Sequence, residues 1–121
     1  DQKALLVADI EGRIDTAVEE VLRWASPLLH MRRTATRDVT VNGSEIRAGD
    51  KVVLWYISGN RDEAVFEKPF TFDILRNPNP HIAFGGGGPH FCLGAALART
   101  MQRSLLTEVY TRIPDISAPE P

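Results

Sequence analysis

The chain has 121 residues, of which 43% are hydrophobic and 25% charged, a composition typical of one folded domain and not of a disordered chain. Its 14 lysines and arginines against 16 aspartates and glutamates give a net charge of -2, which argues against a nucleic-acid-binding protein. No apolar run reaches the roughly 18 residues that span a bilayer, and the N-terminus lacks a signal-peptide pattern, so we expect a cytoplasmic protein without a membrane span. The single cysteine, Cys92, excludes an internal disulfide and is either a buried thiol or a functional one.

The first predicted element is an amphipathic helix over residues 13–25, in which apolar side chains recur at helical spacing. Pro27 marks its end. Alternating residues at 39–41, followed by Asn42-Gly43, predict a β-hairpin. Residues 51–57 are rich in β-branched and aromatic side chains and predict a buried strand.

Residues 58–89 predict a long irregular segment, because prolines and four consecutive glycines interrupt every period, and loops of this length are often functional. A second helix is predicted from Leu93 to about Arg112. Its apolar stripe comprises Leu97, Met101, Leu105 and Val109. Small residues in its first turns would let a large flat group approach the helix. The expected fold class is mainly α-helical with a small antiparallel β-sheet.

The segment most informative about chemistry is residues 81–94, a glycine-rich loop that leads into Cys92 at the start of the second helix. Glycine permits backbone angles and close approaches that a Cβ would block. The unpaired N–H groups at a helix N-terminus favour an anion, and a thiolate in an apolar loop suits haem iron. Three alternatives stay open: an inert buried thiol, a zinc site and a phosphate-binding loop. The zinc site would use Cys92, His90, His81 and His30 without paired-ligand spacing, and the phosphate loop lacks the Gly-Lys-Ser/Thr sequence.

The residues Phe84-Gly85, Gly88-Pro89-His90-Phe91-Cys92-Leu93-Gly94 and Ala98-Arg99 together resemble the haem-binding signature of the cytochrome P-450 family. The resemblance implies that Cys92 is the axial ligand of the iron in haem b. It further implies that His90 and Arg33 bind the haem propionates, with Arg32 as the alternative to Arg33. Phe84, Gly85, Gly88 and Gly94 would complete the cofactor-binding loop.

A second part of the resemblance is Glu20-x-x-Arg23, the structural pair on the helix that precedes the small sheet of the family. In the family this pair ties the helix to an irregular meander, which residues 60–62 and 66–73 resemble. The chain departs from the pattern at Thr71, where the family usually has an arginine. Arg76 and Arg61 are the candidates for the missing third partner.

The resemblance covers essentially the whole chain and implies that residues 1–121 are a partial domain, the C-terminal haem-ligand region of a bacterial monooxygenase. The long distal helix of the family, which carries the acid and the threonine for oxygen activation, has no counterpart here, so no catalytic residue is assigned. The four-glycine loop resembles an actinobacterial group that oxidises sterols and methyl-branched lipids. Leu28, Leu29 and Met31 are therefore expected to form an apolar substrate wall.

Electrons would come from a ferredoxin-type partner, received on a basic face formed by Arg99, Arg103 and Arg61. His81 is expected to be an ordinary loop or surface residue. The alternative to a monooxygenase region is a truncated or split-gene fragment that binds haem or a protein and has no monooxygenase activity of its own.

Overall fold

The computed structural model describes residues 1–117, so residues 118–121 of the predicted partial domain lie outside the described residues. Two helices come first, α1 (Gln2–Ala8) and α2 (Ile10–Ala25). Helix α2 begins earlier than the predicted residue 13 because Asp9 caps it, accepting a hydrogen bond from the backbone N–H of Gly12 at 3.0 Å. It ends at Ala25, and the capping residue Ser26 has a left-handed backbone conformation immediately before Pro27.

Four short strands follow and form two antiparallel pairs. Strand β1 (His30–Thr34) pairs with β4 (Lys51–Trp55), so that His30 lies opposite Trp55. Strands β2 (Val39–Val41) and β3 (Ser44–Ile46) form the predicted hairpin. Asn42 and Gly43 have positive φ angles of 48° and 79° at its turn, as a two-residue hairpin of this type requires.

The prediction of a buried strand over residues 51–57 is wrong in two respects. Strand β4 stops at Trp55, and a short helix, α3 (Tyr56–Gly59), follows it. Trp55 is 56% exposed and Leu54 is 43% exposed. Among residues 1–117, β4 pairs only with β1, and little else covers the faces of this two-stranded sheet. The first buried side chain after β4 is therefore that of Tyr56.

The irregular segment predicted over residues 58–89 spans residues 60–94 in the structure, since α3 occupies residues 58 and 59 and the next helix begins at Ala95 instead of the predicted Leu93. Helix α4 (Ala95–Arg112) then confirms the second predicted helix and packs against α2. Its apolar stripe faces outward, since Leu97, Met101 and Leu105 are 64%, 62% and 62% exposed. The α4 side chains that pack on the core are instead Leu106 and Tyr110.

The hydrophobic core is built around α2. It joins helix α1, helix α2, the long irregular segment and the loop before Cys92, and its buried members are Leu6, Ile14, Ala17, Val18, Leu22, Ile74 and Ala83. The resulting fold is helical with small antiparallel sheets, which confirms the predicted class. Within residues 1–117, no helix combines the length and the apolar character needed to cross a membrane.

Candidate functional site

Cys92 lies in the turn that connects the glycine loop to α4. Its backbone N–H donates to the carbonyl of Phe84 at 3.0 Å, and its carbonyl accepts from the N–H of Ala95 at 3.2 Å. These two hydrogen bonds close the glycine loop and hold the cysteine three residues before the first residue of α4. The residue is exposed and the thiol is free, so its sulfur is available to a ligand.

Beside Cys92 is an open cavity of about 590 Å³. The polar or ionisable groups on its lining are few, and most of the surface is hydrocarbon. The lining comprises Leu22, Pro27, Leu28, Met31, Arg33, Tyr56, Ala83, Phe84, His90 and Cys92. The cavity therefore combines one sulfur ligand, an arginine and a histidine with apolar walls.

The alternation of strand β1 explains which basic residue reaches the cavity. Met31 and Arg33 are two positions apart, so their side chains lie on the same face of the strand, and both line the cavity. Arg32 points to the opposite face, and its carbonyl accepts a hydrogen bond from Arg33 Nη1 at 3.1 Å. The geometry thus favours Arg33 over Arg32 as the arginine that could bind a propionate in the cavity.

The predicted apolar wall is only partly present. Leu28 and Met31 line the cavity, and Leu28 is 44% exposed. Leu29 is not among the lining residues, and its side chain is 49% exposed. The expectation that Leu29 forms part of the substrate wall therefore gains no support from the structure, whereas Leu28 and Met31 remain candidates.

Two glycines of the loop adopt backbone angles that other residues rarely adopt, as the sequence predicted. Gly85 and Gly88 have φ angles of 95° and 77°, a region that residues with a Cβ rarely adopt. Gly94 has an ordinary φ and caps α4, but a Cβ placed there would lie 3.9 Å from Cys92 Sγ. A side chain at Gly94 would thus lie next to the sulfur.

These residues fit a haem group. A cysteine thiolate can ligate haem iron, the apolar walls suit the porphyrin, and two carboxylates in such a cleft need cationic or N–H partners, which Arg33 and His90 offer. The zinc alternative gains no support, because residues 1–117 contain no group of three His, Cys, Asp or Glu side chains arranged to hold a metal ion. The donor set is therefore compatible with a haem-thiolate site.

Glu20 and Arg23 form a fully buried ion pair on α2, with both side chains 0% exposed. Arg23 donates to both carboxylate oxygens of Glu20 at 2.8 Å. It also donates to the carbonyls of Asn60 and Pro69 at 2.8 Å and of Thr71 at 3.1 Å. Arg23 thereby fastens the irregular segment to α2, which is the tie that the resemblance implies.

The third partner of this pair is Arg76. Its Nε donates to Glu20 at 3.2 Å, and its Nη2 donates to the carbonyl of Thr71 at 3.1 Å. Arg61 instead donates to the carbonyl of Trp24 at 2.8 Å and lies over the Trp24 ring. Of the two candidates proposed from the sequence, the structure brings only Arg76 to Glu20.

A further cluster was missed by the sequence analysis. Glu19 on α2 accepts from Arg99 Nε at 2.5 Å and Nη2 at 2.9 Å, and it lies 2.9 Å from His81 Nε2. His81 lies in the irregular segment, as the expectation of a loop residue allows, but its side chain is only 2% exposed and is therefore not on the surface. A sequence signal for this cluster is the equal spacing of charges on the two helices. Asp15 and Glu19 are four residues apart on α2, and Arg99 and Arg103 are four residues apart on α4, so each pair lies on one helix face.

The same ion pairs correct the expectation of a basic face. Arg99 is paired with Glu19, and Arg103 is paired with Asp15. Arg61 lies against Trp24. The positive charges of Arg99 and Arg103 are thus each matched by a carboxylate on α2, which leaves these two arginines little net charge for an acidic partner to recognise.

The hydrogen bonds of His81 determine its tautomer. Its Nδ1 accepts from the N–H of Ala83 at 3.2 Å, so the ring proton is on Nε2 and is donated to Glu19. Burial lowers the pKa of His81, which keeps the ring neutral. The hydrogen bond from Arg99 lowers the pKa of Glu19 and outweighs its partial burial.

Comparison with known proteins agrees with the donor set. The family description of cytochrome P450 matches residues 14–112. Over 113 residues the chain is 56% identical to a methyl-branched lipid omega-hydroxylase of Mycobacterium tuberculosis, covering 93% of this chain and 26% of that protein. It is 50% identical over 111 residues to a steroid C26-monooxygenase of the same species, covering 89% of this chain and 26% of that protein.

The fold comparison gives the same result. A solved Mycobacterium marinum cytochrome P450 in complex with pseudoionone superposes with a TM-score of 0.95 and 54% identity, over 99% of this chain and 29% of that one. The chain therefore spans about a quarter of the length of the curated relatives it matches. Proteins of this family are haem-thiolate oxidoreductases that use haem b. The chain belongs to the cytochrome P450 family.

Proposed function

We propose that this chain is the C-terminal haem-ligand region of a bacterial cytochrome P450 monooxygenase that hydroxylates an apolar, lipid or sterol-like substrate. The observation that carries the proposal is the free thiol of Cys92 beside an apolar cavity that Arg33 and His90 also line. When bound, haem supplies the oxygen-activating chemistry, which the thiolate ligand promotes by donating electron density. The cytoplasmic location remains a prediction from the sequence.

Different residues of the chain would bind different parts of the haem group. Cys92 would ligate the iron, and Arg33 and His90 would neutralise and orient the two propionates by charge-assisted hydrogen bonds. Tyr56, Ala83 and Phe84 would exclude water from the face of the ring. Since the lining residues come from α2, β1, α3 and the glycine loop, binding would also fasten these elements to one another.

The test of the cofactor proposal is an absorption spectrum of the reduced, carbon-monoxide-treated chain after haem is supplied, beside a Cys92→Ser variant. We expect the red-shifted Soret band of thiolate-ligated haem, and we expect the variant to lose it. His90→Ala and Arg33→Ala should weaken haem binding while keeping the band position. A histidine-type spectrum, or the same spectrum in both proteins, would contradict the assignment of Cys92.

The apolar substrate is proposed from two observations. Two relatives are named for methyl-branched lipids and for steroids, and in this chain Leu28 and Met31 present hydrocarbon to the cavity. Leu28→Asp in a complete enzyme that contains this segment should weaken the binding of an apolar ligand by roughly tenfold or more. Leu29→Asp is the matched control, because Leu29 is exposed but does not line the cavity. Equal effects of the two substitutions would argue against Leu28 as a substrate contact.

We further propose a ferredoxin-type protein as the electron donor, on the strength of the family resemblance. Because Arg99 and Arg103 are paired with Glu19 and Asp15, the attraction cannot rest mainly on these two charges. Reversal of Arg103 by Arg103→Glu should therefore change the rate of reduction by only a few-fold at low salt. A decrease of roughly a hundredfold in the rate of reduction would instead indicate that Arg103 contributes directly to docking of the electron donor.

The alternative is a truncated or split-gene fragment that binds haem but has no monooxygenase activity. The length relationship favours neither reading by itself, since the chain matches 26% of its relatives at high identity. The size of the natural gene product on a denaturing gel would separate the two. A gene product of about 13 kDa would support the fragment hypothesis. A product about four times as large, as expected from the length of the relatives, would support the monooxygenase hypothesis.

A further inference from the structure

One carboxylate, that of Glu19, connects three separate parts of the chain. Glu19 is on α2, His81 is the first residue of the glycine loop and Arg99 is in the second turn of α4. Glu19 accepts from Arg99 at 2.5 and 2.9 Å and from His81 at 2.9 Å. The bidentate contact with Arg99 is the geometry that gives such pairs both strength and direction.

Both partners of Glu19 contact Phe84. The guanidinium carbon of Arg99 lies 4.7 Å from the centroid of the Phe84 ring, a cation–π distance. The ring of His81 lies 6.1 Å from the same centroid. Phe84 is therefore held between two side chains that Glu19 orients.

Phe84 in turn contacts the loop that carries the ligand. Its carbonyl accepts the N–H of Cys92 at 3.0 Å, and its side chain lines the cavity beside the sulfur. Phe91, next to Cys92 in the chain, packs edge-on to the Phe84 ring at 6.4 Å. A displacement of Phe84 would thus be transmitted to the backbone of Cys92.

We propose that Glu19 is a positioning residue for the cysteine loop, holding Phe84 through Arg99 and His81 and so fixing the place of the Cys92 sulfur in the cavity. Its consequence for haem rests on the proposed haem-thiolate function, whereas the positioning of the loop can be tested without haem. Neutralising the carboxylate would remove the charge that holds Arg99 on the Phe84 ring, and the loop would then open more often.

The chain offers a closely matched control. Asp15 and Arg103 form the corresponding ion pair one turn away on the same two helices. Their side chains are 66% and 54% exposed, and neither lines the Cys92 cavity. Asp15→Asn therefore removes an ion pair between α2 and α4 that has no contact with Phe84. Glu19→Gln removes the corresponding ion pair with Arg99 and also the contact that orients Arg99 on the Phe84 ring.

The experiment is amide hydrogen exchange of the full chain, with the Cys92 N–H as the probe. In Glu19→Gln we expect exchange at Cys92 to accelerate roughly tenfold, because its hydrogen bond to Phe84 opens more often. Exchange at Ser26, whose N–H donates to Leu22 within α2 at 3.0 Å, should stay within about twofold of the unsubstituted chain. Asp15→Asn should leave both amides unchanged. Equal acceleration at both amides, or none at Cys92, would overturn the proposal.

A second measurement uses haem and a longer protein. This chain would replace the matching 113 residues of the methyl-branched lipid omega-hydroxylase, and the reduced, carbon-monoxide-treated spectrum would be recorded. We expect Glu19→Gln to lower the thiolate-type fraction several-fold and Asp15→Asn to leave it unchanged. Absence of a thiolate-type band in the unsubstituted protein would contradict the proposed function alone, while an unchanged band in Glu19→Gln would contradict only the positioning role.

Discussion

Arg76 Nε lies 3.2 Å from Glu20 Oε2, although the two residues are 56 positions apart in the chain. Both Arg76 and Arg23 also donate to the carbonyl of Thr71, each at 3.1 Å. The backbone at Thr71 thus joins the network at the position where the family usually has an arginine side chain. The second positive charge beside Glu20 comes from five residues further along the chain.

The first prediction concerns Arg76. Arg76→Ala should lower the free energy of unfolding by about 2–4 kcal/mol, because a buried carboxylate loses a cationic partner and three backbone carbonyls lose a donor. Lys68→Ala is the control, since Lys68 is 76% exposed and forms only a surface pair with Glu67. Urea unfolding of both variants checks this, and equal midpoints would show that Arg76 does not support Glu20.

The second prediction is a two-step loss of stability on acidification. Burial lowers the pKa of His81 below the ordinary 6.5, and the charges of Arg99 and Arg23 act in the same direction, while Glu19 opposes them. A group whose folded pKa is lowered stabilises the fold above its unfolded pKa, so the free energy of unfolding should decline as the pH falls below about 6.5. Unfolding measured at a series of pH values should show this, and His81→Asn should abolish the step.

The lower step comes from the two neighbouring carboxylates on α2. The hydrogen bond from Arg99 lowers the pKa of Glu19 below 4.5. Burial acts to raise the pKa of Glu20, but hydrogen bonds from Arg23 and the N–H of Asp73 outweigh it and give a net lowering below 4.5. Stability should therefore fall again below about pH 4.5, and this step should persist in His81→Asn. A pH-independent unfolding energy between 7 and 4 would contradict both assignments.

The third prediction separates two adjacent types of glycine in the loop. Gly88 has a φ of 77° with open space around a would-be Cβ, so Gly88→Ala should cost about 1 kcal/mol through backbone strain alone. Gly86 has an ordinary φ and equally open space, so Gly86→Ala should be neutral or slightly stabilising. Thermal unfolding of the two variants decides the matter, and a larger loss for Gly86→Ala would refute the assigned loop conformation.

The fourth prediction tests which face of α4 is buried. Leu105 is 62% exposed, whereas its neighbour Leu106 packs against the core. Leu106→Ala should therefore lower the free energy of unfolding by about 2 kcal/mol, and Leu105→Ala should change it by less than about 0.5 kcal/mol. Urea unfolding gives both values. If Leu105 proved the more costly of the two, the stripe through Leu97 and Met101 would have to face the core.

Several features followed from local sequence because their causes are local. The two long helices, the Asn42-Gly43 turn and most of the irregular segment depend on periodicity, turn chemistry and interrupted patterning within a few residues. The cysteine loop was recognisable because its residue types and spacing are contiguous. Burial of β4 was wrongly predicted because apolar composition says which side chains favour burial but not whether a partner covers them.

What only the tertiary structure decided are the contacts between segments far apart in the chain. The sequence singled out Glu20, Arg23, Arg33 and Cys92, but it left Arg76 and Arg61 as equal candidates and gave Glu19 no role. The packing of α2 against α4 and against the loop brings Glu19 to His81 and Arg99, over separations of 62 and 80 residues. The four-residue spacing of the charges on each helix shows that they share a face, but which face meets which element depends on how whole elements pack.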